Sequence, residues 1–152
     1  MLTDKLQSLG LTLPPAPKAV AAYVPAVRTG NLVIVSGQLP MVDGQLTVTG
    51  PVPSHTSLDA AKQAAERCVL NALAALSPLI DNDFGRLRRV VRVGVFVASD
   101  PTFTDQHLVA NGASELLQKL LDEKGRHARA AVGVPSLPLG ASVEIEFMFE
   151  VA

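Results

Sequence analysis

The sequence predicts an α+β fold in which two helices cover one face of a mixed β-sheet. Three observations point there. The stretch "VEIEFMFEV" alternates strictly: Val143, Ile145, Phe147, Phe149 and Val151 share one face, and Glu144, Glu146, Met148 and Glu150 the other. From Ser57 the apolar period changes to steps of three and four residues, through Leu58, Ala61, Ala65, Cys68, Ala72, Leu76 and Leu79. Strands and helices then follow in the order strand, strand, helix, strand, helix, strand, strand, which suits a sheet with both helices on one side.

Taken in order, residues 1–10 form a short helix ending at Gly10, and "LPPAPK" is an extended lead-in. "YVPAVRTGNLVIVSGQLP" reads as two strands with Thr29-Gly30-Asn31 as the turn. The second of these is apolar on both parities, Leu32 and Ile34 against Val33 and Val35, so cover on both faces is expected. Asp43-Gly44 marks a further turn. Ser57 or Thr56 caps the long helix, Asp59 suits its positive end, and Pro78 with Asp81-Asn82 closes it.

A strand follows over residues 88–98, and "SDPTFTDQ" supplies caps for a helix reaching about Leu121. Leu108, Ala113, Leu116, Leu117 and Leu120 form its stripe, and Lys124-Gly125 ends it. In the middle strand Leu87, Val91, Val93, Val95 and Val97 are expected to face the helices. In "ARAAVGV" the apolar Ala130, Val132 and Val134 take one parity, so Arg129 is expected on the other face of the sheet, together with Glu144. That second face is half apolar, and such a surface usually meets a partner. Self-association leaving polar clefts between subunits is the favoured form.

With 152 residues the chain reads as one domain, 1–152, able to bury a real core. No apolar run approaches the ~18 residues needed to span a bilayer, and the N-terminus lacks the order of a signal peptide. The lone Cys68 cannot form an internal disulfide, so a cytoplasmic location is expected. A net charge of −1, no Trp and one Tyr speak against nucleic acid as a partner. His55, His107 and His127 show no zinc spacing, no G-x-S-x-G elbow occurs, and Cys68 reads as core.

Two readings stay open for the polar residues. Arg129 either pairs with Glu144 or Glu146, or presents its planar fork to the carboxylate or phosphate of a small ligand. Glu144 is either that ion-pair partner or a carboxylate that holds or activates water. "VSGQLP" is an ordinary turn or a corner offering backbone N–H groups, without the pattern of a nucleotide loop. Tyr23 packs as an aromatic with its hydroxyl free to reach a ligand.

Three stretches, "AAYVPAVRTGNLVIVSGQLP", "VVRVGVFVASDPTFTDQHLVANGASELL" and "HARAAVGVPSLPLGASVEIEFMFEV", resemble the YjgF/RidA family of reactive-intermediate deaminases, whose older label is L-PSP endoribonuclease. The resemblance runs from Pro17 to Val151 and leaves residues 1–16 as an N-terminal extension. It implies a chorismate-mutase-like fold assembled as a homotrimer, with clefts between neighbouring subunits. It also implies hydrolysis of 2-imino or 2-enamino acids to 2-keto acids and ammonia, with no cofactor. By the same resemblance Arg129 binds the substrate carboxylate and Glu144 handles water, while Tyr23, Ser36, Gly37 and Asn111 line the cleft. Ala21-Ala22 stands where the family usually has Gly-Pro, and Ala131 replaces a cysteine frequent in the family. The alternatives are a non-catalytic binder of small carboxylates such as 2-keto acids and, less expected, a ribonuclease.

Overall fold

The computed structural model describes residues 1–19 and 22–152. Ala21, half of the Ala21-Ala22 departure, lies outside them. Helix α1 (Leu2–Ser8) leads to strands β1 (Ala26–Thr29) and β2 (Leu32–Gln38) and a small hairpin of β3 (Met41–Val42) and β4 (Gln45–Leu46). Helix α2 (Leu58–Leu76), strand β5 (Leu87–Ala98), helix α3 (Gln106–Leu121), β6 (Ala128–Val134) and β7 (Val143–Val151) complete the chain.

The five-stranded sheet runs β1-β2-β7-β5-β6, with β5 and β6 parallel and the other neighbours antiparallel. A parallel pair needs a crossover, and α3 provides it. Helices α2 and α3 pack together over the face formed by Val33, Val35, Val93, Val95, Val143, Ile145, Phe147 and Phe149. This is the mixed sheet with two helices on one face that the alternation predicts.

Local signals act at α2 as the sequence places them, whereas Asp105 at the start of α3 makes no side-chain cap. The Ser57 hydroxyl accepts from the Ala60 N–H and caps α2. That helix ends in a 3-10 turn, Ser77–Ile80, containing Pro78, after which Asp81 and Asn82 take left-handed backbone. Gly112 lets the helices meet: a Cβ there would stand 2.3 Å from the Lys62 carbonyl oxygen of α2. Cys68 is fully buried in the core, and burial pushes its thiol far up.

Three expectations about strand faces need correction. In β5, register shifts between Leu87 and Arg89 and between Val90 and Arg92 reset the alternation. Val90, not Val91, is therefore buried beside Leu87 and Val93. In β2 the helices cover only the Val33 and Val35 face, and Ile34 stays 45% exposed on the other.

The third correction concerns β6. Its partners in the parallel ladder are Val93↔Arg129, Val95↔Ala131 and Val97↔Gly133. Paired residues share a face, so Arg129, Ala131 and Gly133 lie on the helix side. Val132 lies on the open face, 45% exposed. Apolarity misled here because β6 is an edge strand whose helix-side residues are small or polar, while its larger apolar residues belong to the open side.

Candidate functional site

Two groups of polar residues stand apart in the chain. The first gathers Tyr23, Ser36, Gly37 and Glu144. Strand β2 carries a register irregularity between Val35 and Gln38, which turns Ser36 and Gly37 out of the regular ladder. The Ser36 N–H donates to the Pro25 carbonyl at 2.9 Å and its hydroxyl to the Val24 carbonyl at 2.8 Å, so the lead-in to β1 is tied to this corner. Helix α2 holds the next residues: Asn71 Nδ2 donates to the Leu39 carbonyl at 3.0 Å and Arg67 Nε to the Met41 carbonyl at 2.9 Å.

A cleft of about 550 Å³ opens here, with Tyr23, Ser36, Gly37, Arg67 and Asn71 in its walls and Pro14 on its rim. Tyr23 is 61% exposed. Glu144 lies against Gly37 so closely that a Cβ on residue 37 would stand 2.1 Å from Glu144 Oε1. Glycine is what admits the carboxylate. Partial burial, and then the neighbouring charge of Glu146, raise the Glu144 carboxyl above its ordinary range. The direction of that shift suits a carboxyl that exchanges a proton with water.

The second group gathers Asn111, Ser114, His127 and Arg129. Arg129 Nη1 donates to Asn111 Oδ1 at 2.9 Å and to Ser114 Oγ at 3.1 Å. Ser114 Oγ is also 2.9 Å from His127 Nε2, and His127 Nδ1 is 2.6 Å from the Gly125 carbonyl oxygen. Burial, and then the nearby Arg129, lower the His127 pKa against the opposing pull of the Gly125 carbonyl. Ser114, His127 and Arg129 border an open cleft of about 380 Å³ that also includes Gln118, and Asn111 holds Arg129 from outside that lining.

Arg129 makes no ion pair among the described residues. Glu146 instead takes Arg92 at 2.7 Å across the open face. Of the two readings for Arg129, pairing with Glu144 or Glu146 of its own chain is thereby set aside. Glu144 and Arg129 lie on opposite faces of the sheet with β5 between them, Glu144 opposite Phe96 and Arg129 beside Val93.

Sequence reasoning named Tyr23, Ser36, Gly37 and Glu144, which the structure gathers, and Asn111 with Arg129, which it gathers elsewhere. It missed Ser114 and His127. Their positions were legible: Ser114 lies one helical turn after Asn111, and His127 shares the strand parity of Arg129. Among the described residues no group of three or more His, Cys, Asp or Glu side chains is arranged to hold a metal ion. No helix among them is long and apolar enough to cross a membrane.

The family model described as endoribonuclease L-PSP matches residues 14–151. Protein TCP17 of Trypanosoma cruzi is 42% identical over 146 residues, 95% of this chain and 91% of that one. A 2-iminobutanoate/2-iminopropanoate deaminase of Dermatophagoides farinae is 31% identical over 137 residues, 90% of this chain and 91% of that one. Among solved structures, a protein of unknown function from Agrobacterium tumefaciens superposes with a TM-score of 0.91 at 47% identity, covering 99% of this chain and 91% of that one. A family match across residues 14–151, with relatives of 42% and 31% identity covering nearly the whole chain, places this chain in the endoribonuclease L-PSP family, also known as the YjgF/RidA family.

Proposed function

We propose that the protein hydrolyses reactive 2-imino and 2-enamino acids to 2-keto acids and ammonia, in clefts between the subunits of a homotrimer. The observation that carries this reading is the separation of its two polar groups. Arg129 offers an unpaired guanidinium edge beside Asn111, while Glu144 stands against Gly37 on the far side of the sheet, next to the cleft that Tyr23, Ser36 and Gly37 line. A carboxylate-binding arginine and a water-handling carboxylate meet only if each cleft takes one group from each of two neighbouring subunits. The half-apolar open face, with Val27, Ile34 and Val132 exposed, supplies surface for that assembly.

The chemistry asks little of the protein. Arg129 binds the substrate carboxylate and so fixes the C=N carbon relative to Glu144. Water adds to that carbon of the protonated imine, the C=N π electrons move to nitrogen to give a neutral amine, and Glu144 takes the proton lost by the water. Glu144 returns that proton to the amine nitrogen; the C–N bond then breaks as the hydroxyl oxygen forms the C=O, its O–H proton passes to Glu144, and ammonia leaves.

The test is ammonia and keto-acid release from 2-iminobutyrate generated in situ, for wild type and Arg129→Ala. Hydrolysis above the spontaneous rate that disappears in the variant supports the deaminase reading. Background rates in both would overturn it for this substrate and leave the cleft as a binder of small carboxylates, to be examined with 2-ketobutyrate.

A further inference from the structure

We propose that Ser114 and His127 are positioning residues that lock the Arg129 guanidinium so that a carboxylate docks side-on, against its Nε and Nη2 edge. The direction of each hydrogen bond from Gly125 through His127 and Ser114 to Arg129 can be assigned. The Gly125 carbonyl can only accept, so His127 Nδ1 carries a proton. Burial keeps the ring neutral, which leaves Nε2 unprotonated and an acceptor. The single Ser114 hydroxyl proton therefore points to His127, and the oxygen lone pairs turn to Arg129 Nη1.

The two Nη1 protons are then both committed, one to Asn111 and one to Ser114. Nε and Nη2 have no hydrogen-bond partner among the described residues. Their N–H bonds project side by side and match the two oxygens of a carboxylate. A guanidinium held at one nitrogen cannot turn about its Cζ–Nε bond without breaking both contacts, so the free edge has one orientation. Ser114 touches only Arg129 and His127 in this relay, and His127 reaches Arg129 only through Ser114, so His127 acts on the guanidinium indirectly.

That a carboxylate is the ligand rests on the deaminase reading above; the locking of Arg129 does not. Two measurements separate them. In ¹⁵N spectra of the ligand-free full chain, hindered rotation keeps the Arg129 Nη1 and Nη2 signals apart in wild type and in Ser114→Thr. They merge in Ser114→Ala, and the separation narrows in His127→Ala. Merged signals in wild type, or spectra unchanged in Ser114→Ala, would overturn the proposal whatever binds.

The second measurement is calorimetric titration with 2-ketobutyrate. Loss of one charge-assisted contact in Ser114→Ala, or of its orientation in His127→Ala, weakens binding about three- to tenfold. Ser114→Thr, which keeps the hydroxyl, binds like wild type, and Arg129→Ala does not bind. If wild type itself fails to bind while its Nη signals stay apart, the carboxylate reading falls and the locked arginine stands. If Ser114→Ala merges the signals yet binds like wild type, side-on docking on a locked edge is refuted.

Discussion

Arg129 and Glu144 occupy opposite faces of one sheet: Arg129 pairs in register with Val93 on the helix side, and Glu144 with Phe96 on the open side. No side-chain rotation joins them through the intervening β5. If both serve one reaction, they come from different chains. Mixing Arg129→Ala with Glu144→Ala subunits, each inactive alone, is therefore expected to restore activity. Random assortment of the two in equal amounts gives about one quarter of clefts an intact Arg129 and an intact Glu144. Co-refolding followed by the ammonia assay measures it; mixed trimers as inactive as either parent would place both residues in one chain's site or in none.

Gly37 is needed for space, not for backbone freedom, because its missing Cβ is where Glu144 Oε1 sits. Gly37→Ala should leave the fold and assembly intact, since the carboxylate can swing towards the open cleft. The displaced Glu144 then no longer reaches the water it handles. A misplacement near 1 Å is worth about a hundredfold in rate. The expected signature is a fall in kcat with little change in KM, read from initial rates. A variant as fast as wild type would remove Glu144 from the chemistry.

Much of this was legible in the residues, for reasons that also explain the failures. Strand β7 announces its faces because one side packs on helices and the other carries three glutamates. Helix α2 announces its stripe because Ala61, Ala65, Cys68 and Ala72 are all fully buried in the core. The phases of β5 and β6 were not legible. Two register shifts in β5 obey no alternation, and β6 places Val132 on a face that the single chain leaves open. The site split in the same way: Glu144 came with β7, whereas Arg129 was assigned to the wrong side with β6. The role of Ser114 and His127 escaped the sequence reading because their spacing shows position but not which atoms hydrogen-bond.

His127 makes stability depend on pH in a fixed direction. Its folded pKa is depressed below the ordinary value of 6.5 by burial and by Arg129. Between the two values the unfolded chain binds more protons than the folded one, so stability rises with pH through that window and is complete above it. Acidification from pH 7 to 5 should lower the Tm of wild type more than that of His127→Gln, which has nothing to protonate there. Equal losses in the two proteins, or a His127 titration centred above 6.5 by NMR, would contradict the assigned tautomer.

The open face gives the last test, because there fold and assembly can be separated. Val27 and Ile34 are register partners on β1 and β2, and Ile34 pairs with Met148 of β7, which pairs with Arg92 of β5. This row lies on the face away from the helices. Ile34→Asp places a carboxylate in the middle of it. In a lone chain the new charge is solvated and costs little, so the far-UV spectrum and a cooperative melt should survive. In an assembled trimer the same charge would be buried without a partner, a penalty of several kcal/mol. Sedimentation should therefore report monomers, and imine hydrolysis should vanish with them, since Arg129 and Glu144 no longer share a cleft. A trimer that persists would show that this row is not the interface, and an active monomer would show that one chain suffices.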